Sequence, residues 1–414
     1  MYRLAFDSIS RFLKLESAGG LVLIAAALVA LALSNSPLAS EYHDVLSLPL
    51  ELRAGALQLN KPLHMWIDDG LMAVFFLLVG LEIKREVMQG ELSTVSQVGL
   101  PITAALAGMA VPAALYFWLT RGDATAVRGW AIPMATDIAF ALGVISLLGK
   151  RVPLSLKVFL TAIAIADDLG AILVIALVYT EHVSQPMLLL AGAATLLLVA
   201  FNFCKVRALS AYTFVGVFLW VFVLKSGVHA TVAGVILAFT VPLKVEPQAQ
   251  PSPLVRLEHG LHPWVAFGVL PIFAFANAGV TWAGVGVAAL AEPVPLGIVT
   301  GLVLGKLVGV FAASAIVIKL GLARLPEESS WTSLLGVAAL CGVGFTMSLF
   351  IGGLAFEDAE QYLRQVRIGV IFGSVISGII GALLLVLGTK RGISGRSEAH
   401  SASSFGNGGS NPGP

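Results

Sequence analysis

The chain has 414 residues, 57% of them hydrophobic and only 12% charged, with a mean hydropathy of +0.92 and a formal net charge of +1. Soluble domains carry about 25% charged residues, so this composition excludes a water-soluble globule. A net charge this close to zero gives no basic field for nucleic acid. The apolar runs are about 17 to 27 residues long, which suits helices crossing a hydrocarbon core of about 30 Å and not the short alternating strands of a barrel.

The runs predict an all-α membrane protein of about twelve transmembrane helices, centred near residues 26, 76, 109, 138, 166, 195, 215, 235, 266, 306, 342 and 375. One transmembrane domain is expected over 1–390. If both termini lie in the cytoplasm, the cytoplasmic segments hold most of the 25 Lys and Arg residues, and that bias supports the orientation. The first span follows Arg11 and Lys14 and is read as retained rather than as a cleaved leader, because later spans already supply insertion.

Between the first two spans, LPLELRAGALQLNK (48–61, within an outer segment of about 45–60) alternates apolar and polar residues around Arg53 and Gly55. A short hairpin fits this pattern, with an edge free to pair with a second subunit; a solvated loop fits as well. In GLEIKREVMQG, Glu82, Arg85 and Glu86 share one helical face at i,i+3 and i,i+4 spacing near the inner surface, which suits an ion-paired helix end.

Asp137 falls inside a span, in AIPMATDIAFALG. Pro133 has no backbone donor and clashes with the preceding turn, so the helix is expected to break just before Thr136 and Asp137. A break leaves free carbonyls on one side and the positive N-terminus of a half-helix on the other. Asp137 can neutralise that end, as a cap or as part of a binding site, and Thr136 offers a hydroxyl.

Asp167 and Asp168 lie side by side in TAIAIADDLGAILVIALVY, and a helix from Pro153 to Val178 places Asp167 about 21 Å along, at mid-membrane depth. A carboxylate there costs about 2.5 to 3.5 kcal/mol on insertion scales, and such residues mark ion or proton paths. Successive helical residues point about 100° apart, so the two cannot face one partner. Like charges this close titrate as a coupled pair. Lys306, in the middle of PLGIVTGLVLGKLVGVFAASAIVI, also reaches the midplane and needs a carboxylate partner among Asp137, Asp167 and Asp168.

His229, in SGVHATVAG, sits at the outer start of a span and reads as an interfacial polar residue. Glu258, His259 and His262, in RLEHGLHPW, lie on the inner side, where histidines can answer to pH. In CGVGFTMSLFIGG, Gly342 and Gly344 interrupt a further span ahead of Thr346 and Ser348. Two interrupted spans in corresponding halves are the signature of an inverted-repeat transporter. Cys204 and Cys341 are read as apolar fillers, not a disulfide. The last residues, 391–414, turn to Ser, Gly, Asn and Pro and predict a disordered cytoplasmic tail.

HExxH, paired CxxC and GxxxxGK[ST] patterns are absent, so neither an enzyme nor ATP-driven transport is expected. Two rivals stay open on residue types alone. An intramembrane aspartyl protease uses two aspartates from separate spans, but it leaves Asp168 and Lys306 unused, and IADDLG lacks a GxGD surround. A passive cation channel also needs midplane carboxylates.

FFLLVGLEIKRE, ATDIAFALG, AIADDLGAI, HATVAGVI, LEHGLHPWVAF, FAFANAGV and CGVGFTMSLF together resemble the NhaA family of bacterial sodium/proton antiporters, over about Glu16 to Lys390. The resemblance implies a twelve-helix fold in which the fourth and eleventh helices are broken and cross. It implies electrogenic, pH-regulated exchange of cytoplasmic sodium or lithium for external protons, serving sodium and pH homeostasis, with no cofactor. Asp167 and Asp168 match the cation and proton site, Thr136 and Asp137 the broken segment, and Lys306 a lysine paired with Asp167. Glu82, Arg85, Glu86, Glu258, His259 and His262 fall on a cytoplasmic pH-response region, and His229 on a pH-linked histidine. Asp69 matches a retained acid; Asp68 stands where a neutral amide is expected. A multi-pass protein of the bacterial inner membrane is implied, homodimeric through the outer hairpin, with sodium, lithium, protons and the bilayer as its partners.

Overall fold

The computed structural model describes residues 2–54, 57–89, 95–180, 183–243, 252–282, 286–357 and 359–405. Within a bilayer every backbone polar group must be satisfied internally, and the chain answers with helices throughout. Among the described residues eight helices are long and apolar enough to cross a membrane, and ten if each of two bent pairs counts as one span. The other two expected spans fall on Met72–Gln89, whose end is charged, and on Val232–Thr240, which has nine residues.

The layers follow burial. Over an 18-residue apolar stretch of each span, 94% of the residues are buried in Trp331–Ala355 and 61% in Leu154–Val178, against 17% in Gln185–Phe203. The first two therefore form the centre and the third faces lipid. Leu154–Val178 packs on Val95–Thr120, which also receives Lys306–Lys319.

After the first helix, Tyr2–Ser34, the chain bends by 117° into Ala39–Leu46 and then forms a two-stranded hairpin. Strands β1 (Pro49–Ala54) and β2 (Leu57–Pro62) pair antiparallel from Pro49 opposite Pro62 to Ala54 opposite Leu57. The hairpin leads through Leu63–Trp66 and a π turn, Ile67–Leu71, into Met72–Gln89. Lys225 Nζ donates to Gln58 O at 2.8 Å and so ties β2 to the helix Leu209–Ser226. That helix ends at Gly227, whose φ of 85° reverses the chain ahead of His229.

On the same end, the loop 121–125 is fastened by Asp123. Its Oδ2 accepts from the Tyr362 hydroxyl at 2.6 Å, and its Oδ1 accepts from Thr125 N and Ala126 N. The tyrosine hydroxyl first, and then the two backbone donors, hold this carboxyl below the usual aspartate range. A depressed folded value adds stability above the unfolded pKa of about 3.9 that is lost as pH falls below it. Asp123→Asn is therefore expected to flatten the acid limb of the stability profile, read as thermal midpoints of detergent-purified protein between about pH 6 and pH 3.

The final helix is Glu360–Phe405, so its course takes in 391–405 of the segment whose composition reads as a tail; 406–414 lie outside the described residues. Helix propagation adds one hydrogen bond per residue fixed, and no proline follows until Pro412.

Candidate functional site

Pro133 ends a 3-10 segment, Ala126–Met134, and the helix restarts at Ile138–Leu147, bent by 47°. Ala135 and Asp137 between them are extended. The second interruption lies between Trp331–Leu340 and Phe345–Ala355, and these two halves stay nearly enough in line to count as one span. The two breaks meet face to face. A Cβ on Gly344 would stand 3.0 Å from Ala135 O, so the close approach needs glycine there.

At the crossing each break supplies what the other lacks. Asp137 Oδ1 accepts from Phe140 N at 2.9 Å and caps its own half-helix. Asp137 Oδ2 accepts from Thr346 N at 2.9 Å and from Thr346 Oγ1 at 2.5 Å, capping the opposite one. Asp137 N donates to Val343 O at 2.7 Å. The freed carbonyls are met in the same way: Ser348 Oγ donates to Ile132 O at 2.7 Å, and Thr136 Oγ1 lies 2.8 Å from Cys341 O.

Next to the crossing, Leu154–Val178 presents its doublet, with Asp167 1% and Asp168 3% exposed. Lys306 Nζ reaches Asp167 Oδ2 at 2.5 Å, and neither side chain is exposed at all. A π turn, Gly301–Gly305, immediately precedes the lysine and sets the direction in which it leaves its helix. Thr136 Oγ1 is 2.7 Å from the same Asp167 oxygen. The single hydroxyl proton of Thr136 serves either Asp167 or the Cys341 carbonyl at one time. Asp167 Oδ1 is buried with no hydrogen-bond partner. The arrangement can hold a proton or a small hard cation on carboxylate oxygen and neutralise one carboxylate with an ammonium. Among the described residues no group of three or more His, Cys, Asp or Glu side chains is placed to cage a metal ion.

The remaining candidates lie elsewhere. At the far end of Met72–Gln89 from the hairpin, Arg85 Nη1 pairs with Glu86 at 2.8 Å, and Arg85 Nε contacts both Glu258 oxygens at 2.9 and 3.0 Å. Glu82, Glu258 and His262 are buried there, and His259 is exposed. The charges read as a local helix end thus join two spans that are 173 residues apart. His229 belongs to the hairpin end. Its Nε2 is 3.6 Å from Asp69 Oδ1, and its Nδ1 is 2.8 Å from Thr231 Oγ1, two residues on in the same loop.

Sequence reasoning passes over Ser348 as a partner for Ile132, the Cys341 carbonyl, and Lys61, whose Nζ is 2.6 Å from Asp69 Oδ2. No spacing signal marks these, because each depends on the way separate elements are brought together.

A family profile described as Na+/H+ antiporter 1 matches residues 10–385. The chain is 56% identical over 383 residues to a Pseudomonas putida protein named Na(+)/H(+) antiporter NhaA 1, covering 92% of this chain and 96% of that one. It is 56% identical over 391 residues to the Na(+)/H(+) antiporter NhaA of Rhodospirillum rubrum, covering 93% and 98%. It is 55% identical over 393 residues to that of Albidiferax ferrireducens, covering 94% and 100%. With two interrupted spans crossing beside a buried carboxylate doublet, and a match along nearly its whole length, the chain belongs to the Na+/H+ antiporter 1 family.

Proposed function

We propose that the chain exchanges cytoplasmic sodium, or lithium, for external protons at Asp167 and Asp168, electrogenically and under pH control, in the bacterial inner membrane. The observation that carries the reading is the buried doublet with one member paired to Lys306. With both aspartates ionised and the lysine charged, the site carries one net negative charge. A bound sodium brings it to neutral, and protonation of both carboxyls brings it to one net positive charge. A cycle that carries the first state one way and the second state back therefore moves one net charge, and alternating access at the crossing gives each state its exit.

The Lys and Arg bias supports an orientation with both termini in the cytoplasm and the hairpin outside. The cluster of Glu82, Arg85, Glu86, Glu258 and His262, with His259 exposed, then meets cytoplasmic pH, and His229 meets the outside. Leu50 and Leu52 are exposed on the hairpin, which supports its use as the contact of a homodimer. The protease alternative loses support at Asp137, whose two oxygens are taken by Phe140 N and Thr346.

The test is sodium-dependent dissipation of a pH gradient in everted vesicles. Asp168→Asn is expected to lower the rate at least about a hundredfold, as loss of an ion-binding carboxylate removes several kcal/mol of binding. Full activity in that variant would overturn the site, and sodium flux indifferent to the proton gradient would favour a channel.

A further inference from the structure

Between the hairpin and the half-helix Phe345–Ala355 lies a cavity of about 290 Å³ that the exchange cycle above leaves without a role. Lys61, Asp68, Asp69, His229, Asn277 and Arg367 line it. At about 30 Å³ per water it has room for a monovalent cation with much of its hydration shell. Its inner wall includes Phe350, one helical turn beyond Thr346, which is bound to Asp137 at the crossing. The Phe350 ring packs against Phe76, Phe273 and His229, so an apolar cluster separates the cavity from the crossing.

Two adjacent carboxylates border this space. The π turn Ile67–Leu71 fits more residues into a turn than an α-helix and narrows the angle between Asp68 and Asp69. Asp68 Oδ1 accepts from Asn277 Nδ2 at 2.8 Å. Asp69 is held through its own carbonyl by Trp220 Nε1 at 3.1 Å, and its Oδ2 carries the Lys61 ammonium at 2.6 Å. Lys61 comes from β2, so a cation tethered to the hairpin already sits on a carboxylate that borders the cavity.

We propose that Lys61 is a tethered competitor for the transported cation at Asp69, keeping sodium on the hairpin side from occupying the release path. This rests on the exchange reading above. A tethered ammonium stands beside Asp69 whatever the sodium concentration outside, so free sodium has to displace it to occupy that carboxylate. The hairpin becomes a determinant of how strongly released sodium inhibits its own export.

The experiment uses everted membrane vesicles holding the full chain, preloaded with graded sodium in the lumen, which the hairpin faces. The readout is the lumenal sodium that halves the exchange rate. Lys61→Gln is expected to lower that concentration about fivefold, the equivalent of a partly exposed ion pair, and Lys61→Arg to restore it. Asp69→Asn removes the seat without altering the hairpin and is expected to raise the concentration above that of the unaltered chain. Equal half-inhibition in the unaltered chain and Lys61→Gln overturns the proposal, as does an equal shift in the sodium requirement on the opposite side. If Lys61→Gln does not reach the membrane, unchanged lumenal inhibition in Asp69→Asn overturns it instead. A total lack of exchange in the unaltered chain sinks the transport reading, which separates the two failures.

Discussion

Lys306→Ala is expected to cost about 3 to 5 kcal/mol of stability, because it strands a buried carboxylate. Asp167 and Lys306 are fully enclosed, so water cannot replace the lost ammonium. Thr136 alone remains beside the Asp167 oxygen that the lysine held. The double variant Asp167→Asn with Lys306→Met removes both charges together and is expected to recover most of the loss, since replacing a buried pair by neutral groups is often close to neutral. Thermal denaturation of the unaltered, single-variant and double-variant proteins in detergent makes the comparison. A double variant no more stable than Lys306→Ala would show that the ion pair is not the source of the loss. Exchange is expected to fall in both, as the charge balance of the site is gone.

Asp137→Ala is expected to destabilise by about 3 kcal/mol, from two helix caps worth about 1 kcal/mol each and the buried donors left unmade. The size follows from one side chain capping two half-helices. Asp137→Asn keeps one acceptor oxygen and is expected to lose about half as much. Thermal midpoints rank the three, and equal stability of the alanine variant and the unaltered chain would remove Asp137 from the structural role given to it. Because its oxygens are engaged in capping, Asp137→Asn is expected to reduce exchange less than Asp168→Asn.

The groups legible in the sequence are those that break a one-dimensional rule. Asp167, Asp168 and Lys306 stand out as charges in apolar runs, and Pro133 stands out as a proline inside a span. Gly342 and Gly344 mark the second interruption, but not that its halves stay nearly in line, which depends on packing inside the most buried span. Two spans are legible as apolar patterns although one is charged at its end and the other short. Lys61 reads only as an outer charge in a strand, because its partner is fixed by the way the hairpin returns to the next helix. The helical course of 391–405 is hidden because polar composition reads as tail, and composition says little about where a helix already under way stops.

The shared cap at the crossing also bears on how the protein is made. Asp137 and Thr346 are 209 residues apart, and at about 5 to 20 residues per second the ribosome needs about 10 to 40 s to travel between them. For that interval the nascent fourth segment has a broken backbone and a carboxylate with only one of its two helices to cap. Biogenesis must therefore keep that segment shielded or partly hydrated until the eleventh arrives, and the last spans to be synthesised complete the first half of the site.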